Sequence, residues 1–145
     1  MGSLRRRAER VTVVVDTDVF TARLHPESVL ASLYDRHLVG QRLALAPQTV
    51  AETLYGALKA GWGRRRLDRV HTLIRRARTL PVDIETIERV ARLRNDCRSI
   101  GHALHQKQHN ADLWVAATAI RWGVPLVAHD KVFRGCPGLD LRTEE

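Results

Sequence analysis

The sequence predicts an α/β chain in which a central parallel sheet of four to five short strands is flanked by helices. Short apolar runs recur at VTVVV (11–15), RLALA (42–46), weakly around LPVD (80–83), and at PLVAH (125–129), each bounded by turn residues or helical segments. Helical patterns fill the intervals. Successive parallel strands need crossovers of a dozen or more residues, which helices of this length supply, and such a sheet is covered on both faces.

The elements follow in order. After the first apolar run, PESVLASLYDRHL reads as a helix over 27–38, with Pro26 suited to an early helical position. The segment QTVAETLYGALKA carries an apolar stripe of Val50, Leu54, Ala57 and Leu58, and Gly61 and Gly63 break the chain after Lys59. GRRRLDRVHTLIRRAR places Leu67, Val70, Leu73 and Ile74 on one face, and IETIERVARLRNDC continues the helical series. RSIGHALHQKQHN (98–110) either prolongs that helix or forms a loop. ADLWVAATAIRW is a helix closed by Gly123 and Pro125.

At 145 residues, with 44% hydrophobic and 28% charged residues, the composition is that of a globular chain and excludes a disordered or fibrous one. The expected organisation is a basic tail over residues 1–10, which need not be ordered, and a single domain over 11–145. MGSLRRRAER is not followed by an apolar stretch of signal-peptide kind, so a cytoplasmic protein without membrane attachment is expected. Cys97 and Cys136 lie far apart in unlike contexts and read as a buried thiol and a loop thiol, not a disulfide or zinc framework. The net charge is +8, and 21 of the 24 basic residues are arginine, whose planar fork favours a polyanion or an acidic partner. Codon usage rich in arginine explains the same excess without any partner.

The opening strand raises a question, because VTVVV runs directly into Asp16 and Asp18, and carboxylates are expensive beside a core. In a parallel sheet, a chain leaving a strand and a helix leading into the next strand both meet the sheet's carboxyl edge. Asp16 follows the first strand and Asp130 follows PLVAH. Glu52 lies in the first turns of the helix after RLALA, and Asp112 in the first turn of the helix leading into PLVAH. Each alone has an ordinary explanation: Asp112 at a helix dipole with Asn110 as cap, Asp16 or Asp18 capping a turn, Glu52 solvated off the apolar stripe, and Asp130 in a turn. Together they fall on one edge. Two carboxylates about 4 Å apart repel by roughly 4 kcal/mol at an effective dielectric of about 20, so a shared hard cation such as Mg²⁺ or Mn²⁺ is expected among them. An anionic pocket in a basic protein then suits a nucleic-acid phosphodiester, with arginines on the backbone.

The strand ending VVVDTDVF, the TVAETLYGALKAGWG segment, the NADLWVAATAI helix and PLVAHDKVF resemble, in order and spacing, the PIN-domain ribonucleases, especially the VapC-like toxins of bacterial toxin–antitoxin pairs. The likeness covers nearly all of the chain after residue 10. It implies a PIN-like three-layer α/β fold and a Mg²⁺-dependent endoribonuclease, with Mn²⁺ as a substitute. Asp16, Glu52, Asp112 and Asp130 match the family's acidic positions. Asp16 and Asp112 are implied as direct metal ligands, with Glu52 and Asp130 holding waters or a second ion. Thr17, Asp18 and Asn110 take supporting places. The implied partners are an RNA substrate, a cognate antitoxin protein and a second copy of the chain in a homodimer. Ala128 and His129 stand where members often carry serine, threonine or asparagine, and Asp18 where a small polar residue is common.

Other features fit more than one use. His102, His105, His109 and Asp112 share a face only if 98–110 is one continuous helix, and their spacing matches no compact zinc motif. Arg64, Arg65 and Arg66 with Arg75, Arg76 and Arg78 are either a solvated helix face or an RNA contact. Trp62 either packs on the core or docks a partner. A haloacid-dehalogenase-like phosphatase shares a strand followed by DTD, although its downstream lysine and paired aspartates find no clear match. A catalytically inactive basic RNA-binding protein is the non-enzymatic rival.

Overall fold

The structure is a computed structural model that describes residues 11–144. The basic tail expected at 1–10 lies outside the described residues. The chain forms β1 (Thr12–Val15), α1 (Thr17–Ala22), α2 (Val29–Leu38), β2 (Arg42–Leu45), α3 (Pro47–Lys59) and α4 (Arg64–Arg76). It continues through β3 (Arg78–Thr79), α5 (Ile84–Ile100), two 3₁₀ turns (Ala103–His105, Lys107–His109) and α6 (Asn110–Trp122). It ends with β4 (Leu126–Val127), a 3₁₀ turn (Lys131–Phe133) and β5 (Leu141–Arg142).

All strand pairs are parallel, in the order β3-β2-β1-β4-β5. Val14 faces Ala44 on one side and Leu126 on the other, so β1 is central. Because side chains alternate along a strand, β1 divides the core. Val13 and Val15 join Val19 and Phe20 of α1, Tyr34 and Leu38 of α2, and Leu73 and Ile74 of α4. Val14 faces the opposite layer with Val90, Leu93 and Cys97 of α5 and Leu113, Ala116 and Ala117 of α6. These are the three layers of the expected fold.

Several local expectations need correction. The third strand sits at 78–79 and not at 80–83, because Leu80 is buried in the α5/α6 layer while Val82 stays exposed. Pro26 precedes α2, whose cap is Ser28, with Oγ accepting from the Ala31 N–H at 3.1 Å. In α3 the buried stripe is Thr49, Thr53 and Ala57, and Leu58 is 66% exposed. The threonines can be buried there because the Thr53 hydroxyl donates to the Thr49 carbonyl at 2.7 Å. The 98–110 segment does both things foreseen for it: α5 runs to Ile100, Gly101 ends it with φ +72°, and short turns carry the chain onward. Cys97 and Cys136, distant in sequence, lie against each other in one core. Burial there pushes the Cys136 thiol up to about 12. The edge strand β5 had no recognisable apolar run.

Candidate functional site

The chain passes from β1 leftward to β2 and β3, then returns to place β4 on the other side of β1. The crevice outside the carboxyl ends of β1 and β4 is therefore the topological switch point, where open α/β sheets take ligands. Asp16 is the residue that leaves β1 there. Its N–H donates to the Val127 carbonyl at 2.9 Å and its carbonyl accepts from the Phe20 N–H at 2.9 Å, so its backbone is fixed between sheet and helix. It occupies the cap position of α1, yet its side chain makes no cap bond. The carboxyl is only 5% exposed as a residue and has no cationic partner among the described residues.

Burial accordingly drives this carboxyl from 3.8 to about 7. The Thr17 N–H pulls it down, and the negative charges of Asp112, Asp18 and Glu52 push it further up. Glu52, one turn into α3, is raised by desolvation and by Asp112 and Asp18, with the Thr17 hydroxyl opposing the rise. Asp112 is half-buried in the first turn of α6 and is raised by desolvation and by Asp130 and Asp18, while His109 works against this. Three elements, β1, α3 and α6, thus bring like charges to one place. Asp130 joins through Asp112, and its Oδ1 accepts from the Val132 N–H at 2.9 Å, which orients the 3₁₀ turn after β4. Asp18 is exposed in the first turn of α1 and adds its field to Asp16, Glu52 and Asp112.

Thr17 joins two of the contributing helices, its hydroxyl donating to Thr49 Oγ1 at 3.3 Å. Asn110 departs from expectation. It is the first residue of α6 and not its cap, the cap position being His109, and its side-chain oxygen accepts from Arg94 of α5. Asn110 therefore braces the start of α6 against α5. The histidines are accounted for locally: His102 Nε2 meets the Arg134 carbonyl at 2.7 Å and its Nδ1 accepts from the Leu104 N–H, while His105 Nδ1 meets the His102 carbonyl at 2.6 Å. Both ring nitrogens of His102 are used, which removes the zinc reading. His109 Nδ1 stands 3.4 Å from Asp112 Oδ2. Among the described residues no group of three or more histidine, cysteine or acidic side chains is placed to hold a metal ion by itself.

Tyr34, read in the sequence as part of a helix, supports the far side of the edge. It is fully buried, and its hydroxyl lies 2.7 Å from His129 Nδ1, 3.3 Å from the Ala128 carbonyl and 3.1 Å from Thr143 Oγ1. The Glu144 N–H donates to it at 2.9 Å. Tyr34 and the chain end thus hold the segment leading to Asp130, where Ala128 and His129 lack the small polar side chain common in the resembled pattern. Nothing in the spacing of α2 announces this, because the partners lie about a hundred residues away.

The three-layer fold and its acidic switch-point edge are those of a PIN domain. Residues 13–138 match the family described as PIN domain, and the chain belongs to that family. It is 32% identical over 127 residues to Ribonuclease VapC5 of Mycobacterium tuberculosis, covering 86% of this chain and 87% of that one. Among solved structures, VapBC-5 of the toxin–antitoxin family from Mycobacterium tuberculosis is 26% identical with a TM-score of 0.63, over 92% of this chain and 97% of that one. VapBC2 from Rickettsia felis, bound to a promoter DNA fragment, shares the fold with a TM-score of 0.75 at 19% identity, over 93% of this chain and all of that one. Family membership sets aside the haloacid-dehalogenase reading. Among the described residues no helix is long and apolar enough to cross a membrane.

Proposed function

We propose that this chain is a divalent-metal-dependent endoribonuclease, the toxin of a toxin–antitoxin pair. The observation that carries the reading is Asp16: a buried carboxyl raised to about 7, surrounded by Asp112, Glu52 and Asp18, with no basic partner among the described residues. That donor set is all oxygen and anionic, which fits Mg²⁺, with Mn²⁺ as a substitute, better than a softer ion. Asp16 and Asp112 would hold the ion directly, with Glu52 and Asp130 acting through water. Mg²⁺ keeps several waters and takes one or two carboxylates, so Asp16 and Asp112 would suffice as its protein ligands.

When bound, the ion supplies Lewis-acid charge and a water of lowered pKa. The chain's own part is positional. Asp16 is fixed by the β1–β4 ladder and Asp112 by the start of α6, so the two carboxylates are held on separate rigid elements. Thr17 and Thr49 keep α1 and α3 in register, and with them Glu52. Asp18 maintains the negative field that recruits a cation. By the same reading the protein is neutralised by a cognate antitoxin and works as a homodimer, in keeping with its likeness to VapC5 and to VapBC complexes.

The test is cleavage of a mixed RNA pool by the purified protein with Mg²⁺, with Mn²⁺, with chelator, and with Asp16→Asn or Asp112→Asn. Cleavage that needs the cation and disappears in both variants is expected. RNA binding that is equal with and without the cation, and never followed by cutting, would instead select the inactive RNA-binding protein.

A further inference from the structure

The arginines of α4 are exposed, and four of them line a single depression. Arg64, Arg65, Arg69 and Arg76 meet Arg23, from the end of α1, around one cavity of about 670 Å³. Five arginines from two parts of the chain thus line one depression. Asp68 also lines the cavity, yet it forms no ion pair with any of them among the described residues. Five arginines against the single carboxylate of Asp68 leave an excess of positive charge around one concavity, which favours a multivalent anion.

The cavity connects to the acidic edge. A depression of about 380 Å³ is lined by Thr17 and Glu52 together with Leu24, His25 and Trp62. A second, of about 220 Å³, shares Leu24, His25 and Trp62 and adds Arg66 and Arg69. Leu24 and Arg69 in turn line the arginine cavity. Between the carboxylates and the guanidinium groups stand two aromatic rings, those of His25 and Trp62, edge to face at 5.9 Å, with the Arg66 guanidinium 5.4 Å from the centre of the Trp62 ring. A basic groove interleaved with aromatic rings is how proteins bind single-stranded nucleic acid without strong sequence preference. An acidic peptide would use the arginines but has no use for the rings or for continuity with Glu52.

We infer that a single-stranded RNA runs from the carboxylate edge across His25 and Trp62 into the arginine cavity, where Arg23, Arg64, Arg69 and Arg76 hold its phosphates. The inference rests on the nuclease reading for the direction of the strand, and it names the substrate as an unpaired stretch several nucleotides long. The cut then falls to one side of a flank that the protein grips.

Two measurements on the full chain separate this inference from the nuclease reading. In the first, with Mn²⁺ present, kcat/KM is compared for unpaired RNAs of about 4 and about 20 nucleotides, the longer being preferred because only it reaches the groove. The long-over-short ratio is expected to fall about tenfold in Arg69→Ala/Arg76→Ala and in Trp62→Ala, as loss of one stacked base or a pair of phosphate contacts requires. Arg89→Ala/Arg92→Ala on α5 removes the same charge elsewhere and should keep the ratio. An equal fall in that control would reduce the effect to net charge and overturn the groove. In the second, the longer RNA is bound by Asp16→Asn in chelator across a salt series. Each lost phosphate contact lowers the slope of log affinity against log salt by about 0.7, so Arg69→Ala/Arg76→Ala should lower it by about 1.4. This second arm decides the groove even where no RNA is cut. An unchanged slope, or tight binding of polyglutamate that outcompetes the RNA and vanishes in the same variant, would assign the cavity to something other than RNA.

Discussion

Asp16 and Asp83 each begin a helix, yet their surroundings drive them in opposite directions. Asp83 caps α5, its Oδ1 accepting from the Thr86 N–H at 2.9 Å and the Thr86 hydroxyl at 2.8 Å, and Arg121 of α6 grips it with Nε at 3.1 Å and Nη2 at 2.5 Å. The Arg121 guanidinium holds that carboxyl well below the usual range. Among the described residues Asp16 has no cap bond and no guanidinium partner; it is buried and raised to about 7. Asp83 is a carboxylate already satisfied by its protein. Asp16 has its charge opposed by the fold, and a proton or a cation relieves it.

The sharpest way to break this contrast is at the chemistry. Asp16→Asn should lower RNA cleavage by more than the roughly 10–100-fold typical of residues that merely support a metal ligand, while Asp83→Asn should leave cleavage near wild type. A chromatographic or gel assay of product formation reads both, and comparable losses in the two variants would erase the distinction.

Next in size is the dependence of stability on pH. The raised Asp16 carboxyl binds its proton more tightly in the folded than in the unfolded chain. Its contribution is therefore fully present below about 3.8 and lost as pH rises through about 7. The shift corresponds to about 4 kcal/mol at the upper bound, from roughly 1.4 kcal/mol per pH unit. Asp83 has the opposite sign: its stabilisation is present above its ordinary range and lost on acidification. Denaturation of the chelated protein should show Asp16→Asn more stable than wild type at pH 8 and the two alike near pH 4. Added Mn²⁺ should narrow the gap at pH 8, because a cation favours the ionised carboxylate of the wild type.

A smaller effect is expected from Tyr34→Phe. It removes the hydroxyl shared by His129, Ala128, Thr143 and Glu144, and partners left unpaired in a buried place cost about 1–3 kcal/mol. Urea unfolding checks the loss, and cleavage should fall with it if the segment before Asp130 is held from this point. The smallest change belongs to Asp83→Asn itself, a modest drop in Tm from the weakened cap and ion pair, without any shift in metal affinity by titration.

Much of this was legible in the chain. The apolar runs at 11–15, 42–46 and 125–129 locate three of the strands, and the helices from 47 to 122 fall within a few residues of their periodic patterns, because burial imposes its period on the sequence. That Asp16, Glu52, Asp112 and Asp130 share an edge also followed from order alone, since parallel connectivity sends every strand end to the same side. The misreadings came where a side chain's use is decided by a distant neighbour. Leu58 fits the apolar period of α3 yet is exposed, because α1 and α6 meet that helix along the Thr49–Thr53–Ala57 line. Asn110 has the chemistry of a cap and is spent instead on Arg94.

The sequence by itself determined the α/β order, the acidic edge and the basic excess, because periodicity and strand direction are local properties of a polymer. Tertiary structure alone decided which arginines line one cavity, that Tyr34 braces the turn to Asp130, that Cys97 meets Cys136, and that Asp16 is buried with no counter-charge among the described residues. Those depend on which surfaces close on each other, and dielectric and distance act between residues that the linear chain keeps far apart.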